Sequence, residues 1–491
     1  MSYQKHINSG VLANEEVTSR EETDFLTEYD GKDTFFLKNN ERSYERQFYS
    51  MYQHRLSVLK DRVEENAQAK WGDGTKKYDG QTIRRKDKIL DIASRELCWV
   101  SGTIYSDMKN KLNILLDVEK GTDDVLPESP PSYMVPGSEE MPTVMLEDES
   151  GRAILHNDEF LKKNTLVTGC VVAVLGIEIQ AGIFEILDVA YPTKAPQRPL
   201  KKTNNKRNKV AFVSGLNISS DVESDLRVEL LKQYLCGELG GQNDFDSISE
   251  VSHLVIVGDT ISPLESRSSA HETCVSNYGS KNTSKFNDEA FRTLDALVDF
   301  MIPSISISII PGPNDPSEIC LPQQPLHKSF FTSNKHFLGG ENFDLLTNPT
   351  WLELSSNNLR MLGTSGQNIR DIIKYLTPDT LLDPNIIISL MESCINWQTV
   401  APTAPDTLYC YPFQDFDPFT FVDETPHVYF VGNQDSFQYS NVLFKRSSLE
   451  KHQDNTSESV SLISIPRFCD TGELVVFDPS SLTCQVVNFS V

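Results

Sequence analysis

From Val210 onward one device recurs, and it limits the fold more than any other feature of the chain. A short apolar run, rich in β-branched residues, ends in a glycine turn. It does so five times: VAFVSGLN, HLVIVGDT, SISISIIPGPND, LRMLGTSGQN and HVYFVGNQ. Each run predicts a strand. Helix-like segments separate them, among them SDVESDLRVELLKQYLCGEL, with Leu226, Leu230, Leu231 and Tyr234 on one face, and NDEAFRTLDALVDFMI. Strands alternating with helices predict an α/β domain over residues 210–491 with a largely parallel core sheet. In such sheets functional groups gather at the carboxyl ends of the strands. The five glycine turns are therefore expected to face one region. The Ser-rich stretches PLESRSSAHETCVSNYGSKNTSK and EKHQDNTSES read as surface insertions.

The period changes in residues 88–193, where CWVSGTIYSDM, LNILLDV, VMLEDESGRAIL, TLVTGCVVAVLGIEIQAG and IFEILDVAYP are β-branched runs broken by Gly and Asp turns. About five short strands predict a small closed barrel, with an OB-fold as the first choice. VLPESPPSYMVPGSEEMP (Val125–Pro142) is a Pro- and Glu-rich loop inside it. Single-strand-binding barrels set aromatics on a basic groove. The strands offer Trp99, Tyr105 and Phe184 with few interleaved Lys or Arg, which favours a protein-binding barrel.

Upstream, residues 41–87 carry Tyr44, Phe48, Tyr52, Leu56, Leu59 and Val63 at helical spacing, with Ser43 as a candidate N-cap. This helix either docks on its own domain or is offered to a partner. Residues 1–40 are polar and predict a disordered tail. Residues 194–209, KAPQRPLKKTNNKRNK, predict a basic linker, with nuclear import as a second reading.

Composition narrows the function. The chain has 491 residues, enough for two to four domains, and a net charge of −25. Gripping phosphate requires clustered cations, so this chain is not expected to be the main DNA- or RNA-holding element of an assembly. The nine cysteines (Cys98, Cys170, Cys236, Cys274, Cys320, Cys394, Cys410, Cys469 and Cys484) form no CxxC pair, which suggests a reducing compartment and no zinc site. No apolar run reaches membrane-spanning length, and MSYQKHINSGVLANEE lacks the apolar core of a secretory signal.

The turns invite comparison with a phosphoesterase that holds two divalent cations on strand-end imidazoles and carboxylates. Its pattern is Asp-x-His, Gly-Asp-x-x-Asp, Gly-Asn-His-Asp or Glu, a lone His, and Gly-His-x-His. On this chain the first turn has Gly215 and Asn217 in place of Asp and His. The second keeps Asp259, the bridging position. The third has Pro313 for the ligand Asn and Asn314 for the general-acid His, and keeps Asp315. The last has Asn433 and Asp435 for its two histidines. Trp397, Gln398 and Thr399 stand where the lone His is expected, and His327 and His427 lack the required spacing. Amides bind transition metals far more weakly than imidazoles. The remaining carboxylates are too few for a two-metal hydrolase.

Taken with CWVSGTIY, MLEDESGR and FEILDVAYPT in the barrel, and with LPQQPLHKSF (Leu321–Phe330) and APTAPDTL (Ala401–Leu408), these turns carry a resemblance. Residues 40–491 resemble the B-subunit family of replicative DNA polymerases in its delta type, with a fungal texture. The resemblance implies an α+β/α/β multidomain fold, an OB-fold β-barrel packed on an inactivated calcineurin-like metallophosphoesterase domain. It implies no catalysis and no cofactor, Gly215, Asn217, Asp259, Pro313, Asn314, Asp315, Asn433 and Asp435 being degenerate metal-site positions. The implied partners are the C-terminal domain of the polymerase delta catalytic subunit, which carries an iron–sulfur cluster, and a third polymerase delta subunit linked to the sliding clamp. The catalytic subunit of translesion polymerase zeta is a further implied partner, and the implied location is the nucleus. The competing readings are an active metal-dependent phosphoesterase or nuclease, and an OB-fold binder of single-stranded DNA. The aromatic segment YCYPFQDFDPFTF (Tyr409–Phe421) either anchors a partner or packs its own loop.

Overall fold

A computed structural model of the chain describes residues 25–27, 35–38, 42–45, 47–111, 130–134, 142–201, 208–219, 226–263, 286, 288–338, 342–444 and 458–490. Strand β1 (Phe25–Thr27) comes first and pairs antiparallel with a strand of the second domain, Leu352–Leu354. Phe35 is buried against Phe419, and the Leu37 N–H donates to Gln324 Oε1 at 2.9 Å. These residues correct the expectation of a disordered tail over 1–40. Polar composition hid a backbone that finds partners on a sheet edge. Residues 1–24, 28–34 and 39–40 of that expectation lie outside the described residues.

Helix α1 (Tyr49–Trp71) buries Met51, Arg55, Leu59, Val63, Ala67 and Trp71. It begins six residues after Ser43, whose N–H and carbonyl instead both meet Tyr411 Oη. Tyr44 and Phe48, expected on the apolar face, are exposed. Leu59 and Val63 of the expected face are buried, and with Ala67 and Trp71 they pack on Leu97, Trp99, Val171 and Leu175 of the barrel. Gly72 (φ +71°) ends the helix, its N–H donating to Gln68 O.

A short hairpin, β2 (Lys77–Tyr78) and β3 (Gln81–Thr82), leads to β4 (Arg84–Arg85). The barrel continues as β5 (Leu97–Asp107), β6 (Thr143–Glu147), β7 (Arg152–His156), helix α2 (Asp158–Lys163), β8 (Val171–Gln180) and β9 (Ile183–Ala190). The strand order is β4-β5-β6-β7-β9-β8, and β5 also pairs with β8, which closes the sheet on itself. VMLEDESGRAIL is a hairpin turning at EDESGR, where Asp148 Oδ1 accepts from the N–H groups of Ser150 and Gly151 and so folds the turn. The predicted strand at Leu112–Val118 and most of the Val125–Pro142 loop lie outside the described residues.

Residues 194–201 are not a free linker. The Ala195 N–H donates to Gln398 Oε1 at 2.7 Å, Gln197 Nε2 donates to the carbonyls of Pro426 and Ser459, and Lys194 Nζ reaches Asn396 Oδ1. This strap lies against the second domain because those groups satisfy its backbone and side chains. Residues 202–207 lie outside the described residues.

The second domain contains β10 (Lys209–Val213), α3 (Leu226–Leu235), α4 (Gln242–Ser249), β11 (Val251–Val257), α5 (Asp288–Met301), β12 (Ser306–Ile310), β13 (Phe343–Leu345), β14 (Thr350–Leu354) and β15 (Leu359–Thr364). It goes on through α6 (Gln367–Ile373), α7 (Ile386–Trp397), β16 (Val428–Gln434), β17 (Gln438–Phe444), β18 (Glu458–Pro466), α8 (Phe468–Thr471), β19 (Glu473–Asp478) and β20 (Thr483–Asn488). One six-stranded sheet runs β13-β12-β11-β10-β19-β20, the other β1-β14-β15-β16-β18-β17. The central neighbours β10 to β13, and β15, β16 and β18, are parallel; the flanking pairs are antiparallel.

Side-chain alternation explains the layers. Val210 and Phe212 point between the sheets with Val255, Val257, Phe430 and Ile463, whereas Ala211 and Val213 face α3 and α5 with Ile256 and Ile307. On the other sheet, Leu362, Tyr429 and Leu462 meet α6 and α7, and that core runs on without a break into the barrel. Leu226, expected on the apolar face of α3, is its first residue and is exposed.

Three parts of the chain meet at one buried cation. Arg55 of α1 donates from Nε to Asp417 Oδ2 at 2.6 Å, from Nη1 to Pro402 O at 2.7 Å and from Nη2 to Ala404 O at 2.9 Å. Both charged side chains are almost fully excluded from solvent. Asp417 also accepts from the Phe419 N–H and Thr420 Oγ1. Gly169 of the barrel approaches so closely that any Cβ there would strike Pro402 O. Breaking one side of a buried pair leaves an uncompensated charge and costs about 3–5 kcal/mol. Arg55→Leu is therefore expected to lower the denaturant midpoint steeply, and the double variant Arg55→Leu/Asp417→Leu to recover much of that loss.

Candidate functional site

The structure brings all five glycine turns together. The Gly215 N–H donates to Gly258 O, the Asn217 N–H to Asp259 O and the Gly258 N–H to Ile310 O, at 2.9, 3.0 and 2.9 Å. The Asn433 N–H donates to Ser214 Oγ, Asn433 Nδ2 to Ser365 O, and Ser365 Oγ to Pro311 O. Asn217, Asp259 and Asn433 all have φ near +50°, the left-handed conformation that ends each strand sharply.

The two buried carboxylates of the site are engaged by the protein. Asp259 Oδ1 accepts from the Asn314 N–H at 2.9 Å, and Oδ2 from Asn314 Nδ2 at 3.0 Å. Asp315 Oδ1 accepts from the Thr260 N–H, Thr260 Oγ1 and the Ile261 N–H, while Oδ2 accepts from the Gly312 N–H. Asp315 thus ties the third turn to the second, and Asn314 clasps Asp259 with backbone and side chain. Pro313 precedes them, half-buried, and contributes no donor. Burial raises the Asp259 carboxyl above the usual range, against the Asn314 donors and the charges of Arg370 and Arg467. Burial and the neighbouring Asp259 push Asp315 up to about 6, against its own donors.

A cation of the chain's own stands at the other end of the site. Arg467 binds Asp435 Oδ1 through Nη2 at 2.9 Å and Asp470 Oδ2 through Nε at 2.7 Å. Asp435 is exposed and turned to that arginine. A Cβ built on Gly215 (φ +60°) would lie 3.1 Å from Arg467 Cβ and Cγ. The space for a longer side chain at 215 is therefore taken. Asn217 Nδ2 donates to Cys469 Sγ. Between the third and fourth turns lies a neutral network in which Gln323 Oε1 accepts from Asn348 Nδ2 and Gln367 Nε2, and Gln323 Nε2 donates to Gly312 O.

A divalent pair does not fit this donor set. Gly215 and Pro313 supply no side-chain ligand, and the Asp259 oxygens are held by Asn314. Asp435 is neutralised by Arg467. Among the described residues no group of three or more His, Cys, Asp or Glu is arranged to hold a metal ion. The histidines lie elsewhere. His427 bridges the Arg360 N–H and Arg198 O, with burial lowering its pKa, and His327 bonds Ser329. Gln398 is buried and its Oε1 accepts from Ala195.

The barrel aromatics are not a binding platform. Trp99 is fully buried under α1 with its Nε1 on Gly72 O, and Phe184 is core. Tyr105 has Lys111 and Arg152 near its ring, but Lys111 is paired with Asp406. In Tyr409–Phe421, Cys410, Phe413, Phe419 and Phe421 are buried, so the segment chiefly packs its own loop. Sequence reasoning missed Arg467 and Asn348, whereas Gln367 falls in the LRMLGTSGQN turn. Gln323 falls in the quoted LPQQPLHKSF run, which was the available signal.

Two family models match the two halves. The model of the DNA polymerase delta subunit OB-fold domain matches residues 47–189, and that of the B subunit of DNA polymerases alpha and epsilon matches residues 210–439. With the closed barrel and the phosphoesterase-like double sheet, they define the B-subunit class of DNA polymerases. The DNA polymerase delta small subunit of Saccharomyces cerevisiae is 36% identical over 493 residues, covering 94% of this chain and 93% of the relative. The rice (Oryza sativa subsp. japonica) small subunit is 35% identical over 82% and 86% of the two chains, and the Drosophila melanogaster DNA polymerase delta subunit 2 is 30% identical over 95% and 98%. The chain belongs to the family of DNA polymerase delta small subunits.

Two outcomes follow from this geometry. Restoring a carboxylate by Gly215→Asp is expected to cost about 1–2 kcal/mol, the usual penalty of a left-handed backbone for a residue with a Cβ, plus displacement of Arg467. The melting temperature checks it. Asp315 has a folded pKa above its unfolded one, so the folded state holds the extra proton. Its contribution is full below the unfolded carboxylate range and is lost as pH rises through about 6. Stability measured by urea denaturation is expected to fall by about 1–3 kcal/mol between pH 5 and 7 through this group. Asp315→Asn is expected to lose that slope and to be less stable at both pH values, because an amide nitrogen cannot accept the Gly312 N–H.

Proposed function

We propose that this chain is the bridging scaffold of a DNA polymerase delta assembly in the nucleus. It holds the C-terminal domain of the catalytic subunit on one side and the N-terminal domain of a third, clamp-linked subunit on another. Sharing with the zeta catalytic subunit is part of the same reading. The observation that carries it is the single core running from the barrel into α6 and α7, pinned by Arg55 and Asp417. A scaffold needs domains that do not move against each other, and this core supplies that. The turn residues Gly215, Asn217, Asp259, Pro313, Asn314, Asp315, Asn433 and Asp435 are then the remains of a two-metal site kept for its shape.

The iron–sulfur cluster belongs to the catalytic-subunit partner in this reading. The chain's own thiols support that. Burial pushes Cys98 and Cys394 up to about 12 and raises Cys170 and Cys410 as well, so they stay protonated and poor ligands. The net charge of −25 suits basic protein partners and keeps the scaffold off template strands.

Reconstitution tests the reading. The purified chain is expected to form a stoichiometric ternary complex with the two partner domains by size exclusion with light scattering. Its Mn²⁺-dependent hydrolysis of a phosphodiester is expected to be no greater than that of Asp259→Ala. Turnover that disappears in Asp259→Ala, or failure to bind either partner, would overturn it.

A further inference from the structure

The two sheets of the second domain manage their edges unequally. At one side, β14 is covered by the chain's own β1. On the other side lie β17, QYSNVLF, and β20, TCQVVN. The two strands are linked, since Tyr439 Oη of β17 donates to Leu482 O in the β19–β20 turn. Exposed edge strands offer unpaired backbone groups, and proteins normally guard them with Lys, other charges, Pro or bulges. Neither strand contains a charged residue, Pro or Gly, although charged residues make up 23% of the chain. Strand β17 is paired with β18 along its whole length, from Gln438↔Ser464 to Phe444↔Glu458, and has no second neighbour among the described residues. Leu443 projects from it 68% exposed, and Asn441 is exposed beside it.

We propose that β17 is a docking edge, which takes an extended, cationic segment of a partner protein as a seventh strand of its sheet. Main-chain hydrogen bonds supply affinity in such strand addition, and alternate side chains supply selectivity. The sheet already accepts a short strand in this way at its opposite edge, as β1. A second copy of the chain is the disfavoured occupant, because pairing β17 with itself brings together two molecules of net charge −25. A segment rich in β-branched residues and flanked by Lys or Arg suits both the edge and the net charge of −25 of the chain as a whole. This deepens the scaffold reading and rests on it, by assigning one of the bridging contacts to a defined strand.

The experiment uses the full chain, alone and reconstituted with the two partner domains, and reads amide hydrogen exchange over residues 438–444 together with affinities for each partner. Exchange of these amides is expected to slow at least about tenfold in the assembly. Leu443→Lys, at an exposed position, is expected to leave the melting temperature unchanged and to weaken one partner at least about tenfold while sparing the other. Leu443→Glu, of similar size and opposite charge, is expected to retain binding, which a plain apolar contact would not. An assembly that forms with unchanged exchange over 438–444 and full affinity in Leu443→Lys would overturn the docking edge and leave the scaffold reading standing. Protection that appears in the isolated chain together with a concentration-dependent dimer would overturn it in favour of self-pairing. Failure of the wild-type chain to bind either partner would sink the scaffold reading, and the docking edge with it.

Discussion

The Arg55–Asp417 pair is the contact on which the arrangement of this molecule depends. A guanidinium and a carboxylate removed from water each lose several kcal/mol of hydration, and only saturated geometry offsets that loss. Here it is saturated. Three arginine nitrogens reach Asp417, Pro402 and Ala404, and the carboxylate takes two further donors from its own loop. The consequence is directional more than additive. Any other docking of α1 or of the barrel would strand a buried charge, so the pair penalises misplacement. Arg62, about two helical turns further on, repeats the device with carbonyls of Thr193 and Phe421. One helix thereby sets the angle between two domains.

That rigidity gives the strand-end site its character. In a two-metal hydrolase the turns are held apart by cations. Here they are held together by hydrogen bonds: Asn314 on Asp259, Asp315 across to Thr260 and Ile261, and Gln323 among three neighbours. Arg467 adds a fixed positive charge beside Asp435 and Asp470. A polar network of this kind is stable only when nearly every member is satisfied, since an unpaired buried group costs more than the bond it forgoes. The site therefore resists the opening that ligand exchange demands, and it serves as a rigid corner.

Much of this was legible from one sequence because it rests on short-range signals. Strand and turn alternation after Val210 follows from a period of two and from glycine's freedom at φ > 0. The lack of a side-chain ligand at Gly215 and Pro313, and of an imidazole at Asn314, are chemical facts that no fold can alter. The barrel was legible for the same reason, including its β6–β7 turn, which Asp148 folds through its carboxylate.

What the sequence by itself determined is the identity of the elements and the lack of a side-chain ligand at Gly215 and Pro313, since both depend on neighbouring residues and on side-chain type. Only the tertiary structure decided that Arg55 lies on the buried face of α1, that a basic Pro-rich stretch becomes a strap, that residues 25–27 join a sheet, and that Arg467 fills the space beside Gly215. Each of these depends on groups far apart in the chain whose desolvation is offset only when they meet. No local pattern of residues records such a meeting, because its free energy belongs to the pair and not to either segment.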